Sequence, residues 1–121
     1  MYYKVTPSEN GKYLVCHVSG QITAELARAF TEELDRQSRA LNIKRFLNDV
    51  RDASNTLSTV ENYNFAYHDM AQMNLQRDIR SAILVGPEDT THEFVVTVTK
   101  NAGYNVQVFR DETAAIVWLS E

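Results

Sequence analysis

The chain has 121 residues, 44% of them hydrophobic and 23% charged, with a formal net charge of −4. That length and balance describe one α/β-sized domain over residues 1–121 with a full core, and the acidic excess argues against a protein that neutralises nucleic-acid phosphates. The single cysteine, Cys16, excludes an internal disulfide. No apolar run approaches the ~18 residues of a membrane span, and Met1-Tyr2-Tyr3-Lys4 lacks a signal peptide's apolar segment, so a cytoplasmic protein is expected.

Residues 2–6 read as a first strand. The turn formers Pro7-Ser8-Glu9-Asn10-Gly11 follow, then a second strand over 13–18, which together predict a hairpin. Ser19-Gly20 ends that strand, and Thr23 caps a helix. On its inner face lie Ile22, Leu26, Phe30, Leu34 and Leu41, with Ala29 and Gln37 beside them. On its outer face Glu32 pairs with Arg36 and Asp35 with Arg39 at i,i+4 spacing. Residues 44–50 form the third strand, ending in a polar loop over 49–57.

Ser58-x-x-Glu61 is a capping box that opens a helix to about Leu75. Val60, Tyr63, Tyr67, Met70 and Asn74 fall on one stripe, while Phe65 and Met73 point elsewhere. One buried face does not need so many large side chains. Tyr63, Phe65, Tyr67, Met70 and Met73 are therefore candidates for a pocket wall or a homodimer contact centred on Phe65. Residues 80–85 are the fourth strand, stopped by Gly86-Pro87, with Thr90-x-x-Glu93 as a second capping box. Residues 94–100 have strand propensity in Phe-Val-Val-Thr-Val-Thr, but the punctuation around them and the spacing of a crossover predict a helix. A fifth strand spans 104–109, and Asp111 caps a last helix ending near Trp118. Strand–helix alternation predicts a mostly parallel five-stranded mixed sheet with helices packed on it.

The three histidines, His17, His68 and His92, fall at no metal-ligand spacing with one another or with Cys16. His68 and His92 read as helical surface. No phosphate-cradling glycine loop and no nucleophile elbow is present, so no metal, no cofactor and no catalytic set is expected. What remains is the rim beyond the carboxyl ends of the strands, where ligands of parallel sheets gather. It collects Asp49, Arg51, Asp52 and Ser54, then Glu88, Asp89 and Thr90, then Arg110 and Asp111. Capping accounts for Asp89, Thr90 and Asp111, whereas the stretch 49–58 holds more polar groups than a turn needs.

The element order, the strand Phe46-Leu47-Asn48-Asp49 and the ending Val106-Gln107-Val108-Phe109-Arg110-Asp111 resemble the STAS superfamily. The resemblance is to its stand-alone SpoIIAA-like branch, which shares a fold description with the lipid-binding Sec14 (CRAL-TRIO) domains. Anti-sigma-factor antagonists of this type carry an Asp at the end of the third strand, then Asp-Ser-Ser-Gly at the next helix, one serine being phosphorylated. Asp49 matches the first position. Asp52-Ala53-Ser54 matches Asp-x-Ser early and without the glycine, and Ser58 and Thr59 occupy the phosphoacceptor place without the aspartate. The resemblance implies a non-enzymatic regulatory module. It would dock a protein partner through Asp49, Arg51, Asp52, Ser54, Ser58 and Thr59, under phosphorylation. The alternative is a domain that binds a lipid or other small hydrophobe in an apolar pocket beside helix 58–75.

Overall fold

Turn chemistry sets the first two strands. In the computed structural model, which describes residues 2–121, β1 (Tyr2–Pro7) and β2 (Leu14–Ile22) pair antiparallel with Val5 opposite Cys16. Between them Asn10 Oδ1 accepts from the Ser8 hydroxyl and the Lys12 N–H, and Gly11 takes a left-handed φ of 70°. Ser19-Gly20 does not end β2. Gly20, Gln21 and Ile22 run on beside Ala53, Ser54 and Asn55, so Ile22 enters the core from a strand rather than from a helix face.

Helix α1 (Ala24–Leu41) starts where Thr23 Oγ1 accepts from the Leu26 N–H at 3.2 Å, as the sequence predicts. Its buried face is Leu26, Ala27, Leu34 and Ser38, while Leu41 stands in solvent. Ser38 replaces Leu41 because its hydroxyl has a buried task, donating to Ile43 O at 2.6 Å. Asp35 pairs with Arg39 as expected, but Arg36 takes Glu33 at i,i+3 instead of Glu32, at 2.7 Å.

After β3 (Arg45–Asn55) comes a helix in three consecutive pieces: Thr59–Asn64, a π-helical turn Phe65–Asp69, and Met70–Gln72. We call 59–72 α2. Then follow β4 (Arg80–Leu84), α3 (Glu93–Asn101), β5 (Asn105–Phe109) and α4 (Glu112–Ser120). The helical reading of 94–100 holds. The hydroxyls of Thr97 and Thr99 donate back to Glu93 O and Val95 O, which lets β-branched threonines sit in a helix with their polar atoms satisfied. Its capping differs from the expectation: His92, not Thr90, precedes the first turn, and it makes no side-chain cap.

The sheet order is β1-β2-β3-β4-β5, with β1 antiparallel to β2 and every other pair parallel. The three crossover helices share one face of it. There Leu14, Cys16, Phe46 and Val50 meet Leu26, Leu34 and Phe65. Burial pushes the Cys16 thiol up to about 12. Among the described residues the opposite face is covered by α4 alone, with Leu47, Ala82 and Leu84 against Ala115 and Leu119. Asp111 caps α4 by accepting from the Ala114 N–H, and Arg80 holds its far end through Trp118 O. Among the described residues no helix is long and apolar enough to cross a membrane.

Candidate functional site

The polar stretch 49–58, expected as a loop, is strand as far as Asn55. Pairing with β2 is parallel up to His17–Asp49, then slips so that Ser19 faces Asp52. That bulge puts one extra residue into β3 and re-aims its side chains. Val50 and Ala53 both turn inward although they stand three apart, and Asp49, Arg51 and Asp52 turn to the other side.

On that outer side the acids are paired. The Arg51 guanidinium donates to both oxygens of Asp49 at 3.0 and 2.9 Å and approaches Glu112 at 3.7 Å. Burial works against the Asp49 charge, but the Arg51 side chain and N–H hold its carboxyl below the usual range. Asp52 meets His17 Nε2 at 2.9 Å. Ser54 is exposed. Ser58 and Thr59 belong to the start of α2, where the capping box forms as read: Ser58 Oγ accepts from the Glu61 N–H and Glu61 Oε1 from the Ser58 N–H. The structure thus joins Asp49, Arg51 and Asp52 on one sheet face and sets Ser58 and Thr59 on a separate element.

The rest of the rim is structural. Arg110 donates to Gly86 O, Pro87 O and Asp89 O, locking the loop after β4. Asp89 accepts from the N–H and hydroxyl of Thr91. His92 is not a surface residue. It is 3% exposed, and its Nε2 lies 3.3 Å from both Ala53 O and Asp89 Oδ2. Both partners only accept, so this nitrogen carries a proton. His68 is exposed, as read.

Helix α2 reverses the expected stripe. Val60 is 67% and Tyr63 49% exposed, whereas Phe65 is 7% exposed and Asn62 is buried beside it. Asn62 goes inward because its amide is satisfied there: Nδ2 donates to Leu57 O and Ser58 O, and Oδ1 accepts from Asn55. The rings of Tyr63 and Tyr67 stack outside at 4.6 Å between centroids. The π turn adds a residue to the coil, so Met70 and Met73 swing back against the core. Phe65 therefore cannot be the symmetric contact of a homodimer; it is spent inside the chain.

Under α2 lies a cavity of about 180 Å³, mostly apolar, between the sheet and the three crossover helices. Its floor includes Phe46, Asn48, Val50, Ser81 and Ile83, and Phe65, Met70 and Val96 form part of its roof. Of the five residues read as pocket candidates, Phe65 and Met70 line it. Tyr63, Tyr67 and Met73 do not. The sequence signal missed for this cavity is small or polar side chains at inward strand positions, Asn48 and Ser81. Among the described residues no group of three or more His, Cys, Asp or Glu side chains is placed to hold a metal.

Comparison with known proteins agrees with this architecture. The family model described as SpoIIAA-like matches residues 13–120. An uncharacterised protein of the DUF3478 family from Shewanella loihica PV-4, solved with a SpoIIAA-like fold, superposes with a TM-score of 0.59 at 19% identity. The match covers 98% of this chain and 92% of that one, and shows a shared fold. No curated protein matches the chain.

Proposed function

The chain belongs to the SpoIIAA-like family, and from that premise we propose that it is a non-enzymatic regulatory module. It docks a protein partner through the outer face of α2 and the adjoining end of β3. The observation that carries this reading is the reversal of α2: an asparagine is buried while Val60 and Tyr63 are turned to solvent. Exposed aliphatic and aromatic side chains at i,i+3 on one helix form an anchor, and the exposed Ser58 and Thr59 at the start of the same helix supply polar groups beside it.

Ser58 gives the surface a route to control. A phosphate there would gain from the helix N-terminus but would face the Glu61 carboxylate that now accepts from the Ser58 N–H. Phosphorylation would therefore break the reciprocal cap and reshape the first turn of α2.

Affinity capture with three proteins tests the docking reading: the unaltered chain, Tyr63→Glu, and Val117→Asp, which alters an exposed apolar residue on α4. The same partner should be held by the first and third and lost by the second. Equal retention by all three would remove α2 as the docking element. Mass spectrometry of Ser54, Ser58 and Thr59 tests phospho-control separately; three unmodified sites in cell-derived protein would sink that part alone.

A further inference from the structure

The cavity beneath α2 is larger than the voids that native packing leaves, which seldom exceed a water molecule. Its 180 Å³ is close to an engineered core cavity of about 150 Å³ that takes up benzene. It falls short of the roughly 300–1,000 Å³ of drug-sized ligand sites, so a membrane lipid is too large for it. Its floor carries a polar group with unused capacity. Asn48 is 7% exposed, and its Nδ2 donates to Ala82 O at 3.2 Å. Because that carbonyl only accepts, the amide orientation is fixed. Among the described residues none donates to Asn48 Oδ1 and the Ser81 hydroxyl has no partner; since no sealed-in side-chain polar atom there lacks a partner, both atoms are open to the cavity. An acceptor that faces a cavity with no protein donor takes its hydrogen bond from whatever fills that cavity, so Asn48 Oδ1 marks where a ligand's donor would sit.

We propose that this cavity is a binding site for a small neutral hydrophobe of one ring that bears a hydroxyl, its O–H donating to Asn48 Oδ1. Neutrality follows from the charged groups that reach the wall. Asp35 is paired with Arg39, and Arg77 donates to Ala102 O while lying 4.1 Å over the Tyr104 ring. His92, also at the wall, has its Nε2 against Ala53 O and Asp89 Oδ2, so none of the three is free to meet a ligand charge. The roof is suited to admit and fit such a molecule. Phe65 opens the π turn and Met70 directly follows it, so the wall is a locally widened coil next to an adaptable thioether. This site is distinct from the outer face of α2, which uses Val60 and Tyr63.

The test is an NMR titration of the full chain with phenol, benzene and benzoate. Phenol should shift the resonances of Phe65, Met70 and Val96 saturably with one site. Benzene should bind there roughly tenfold more weakly, the worth of a neutral hydrogen bond, and benzoate should give no saturable shift. Ser81→Leu should fill the floor and abolish phenol binding, and Asn48→Leu should erase the preference for phenol over benzene. Should either variant fail to fold, the order of the three probes on the unaltered chain decides. Tyr63→Glu should leave phenol binding unchanged, so this proposal and partner docking fail separately. Absence of saturable shifts with phenol, equal affinity for benzene, or tighter binding of benzoate would each overturn it.

Discussion

Asp49 and Arg51 stand two apart on a strand and so share a face, where one guanidinium reaches both carboxylate oxygens. Burial raises the Asp49 pKa and Arg51 lowers it, with the net effect downward. A depressed carboxyl adds stability that is fully present above its unfolded value near 3.8 and is lost as pH falls through the lower folded value. Arg51→Ala leaves burial unopposed by its main partner. Carboxyl-carbon NMR should then place the Asp49 midpoint higher than in the unaltered protein, and an unchanged midpoint would contradict the assignment. This pair was visible in the sequence only as an excess of charge. What makes it a pair is that β3 continues as strand through this stretch, held by parallel pairing with β2 residues over thirty positions away, which no local pattern reports. His92 was hidden for the same reason, since Ala53 O is a distant partner.

At the scale of elements, what was legible was local. Thr23, Ser58 and Asp111 announced three helix starts because a cap bonds within three residues of itself. The helix read at 94–100 was legible against its own strand propensity because a crossover has to fill that span. The phase of α2 was not legible. Hydrophobicity puts Tyr63 inside and Asn62 outside; the bonds from Asn62 to Asn55, Leu57 and Ser58 reverse this. The reversal sets opposite stabilities for neighbouring aromatics. Phe65→Ala should cost about 3–5 kcal/mol in denaturant unfolding, the range for a large buried ring. Tyr63→Ala should stay near about 0.5 kcal/mol. Similar losses for the two would mean that the helix is rotated from the phase described.

At the scale of the molecule, the fold class and the mixed sheet follow from strand–helix alternation, and the SpoIIAA-like match over residues 13–120 fits them. One sheet face carries three crossover helices and the other a single one. This asymmetry puts the cavity and α2 on the crowded face and the Asp49–Arg51 pair on the open one. Helix α2 has two working sides: its inner side roofs the cavity, and its outer side presents Val60 and Tyr63. The central claim is that the outer side is a docking face. It is tested most directly by placing a photo-activated cross-linking side chain at position 63 in cells, with the same group at position 117 as the control. The account predicts one discrete protein adduct from position 63 that is absent from position 117. No adduct from position 63, or the same adducts from both positions, would contradict it.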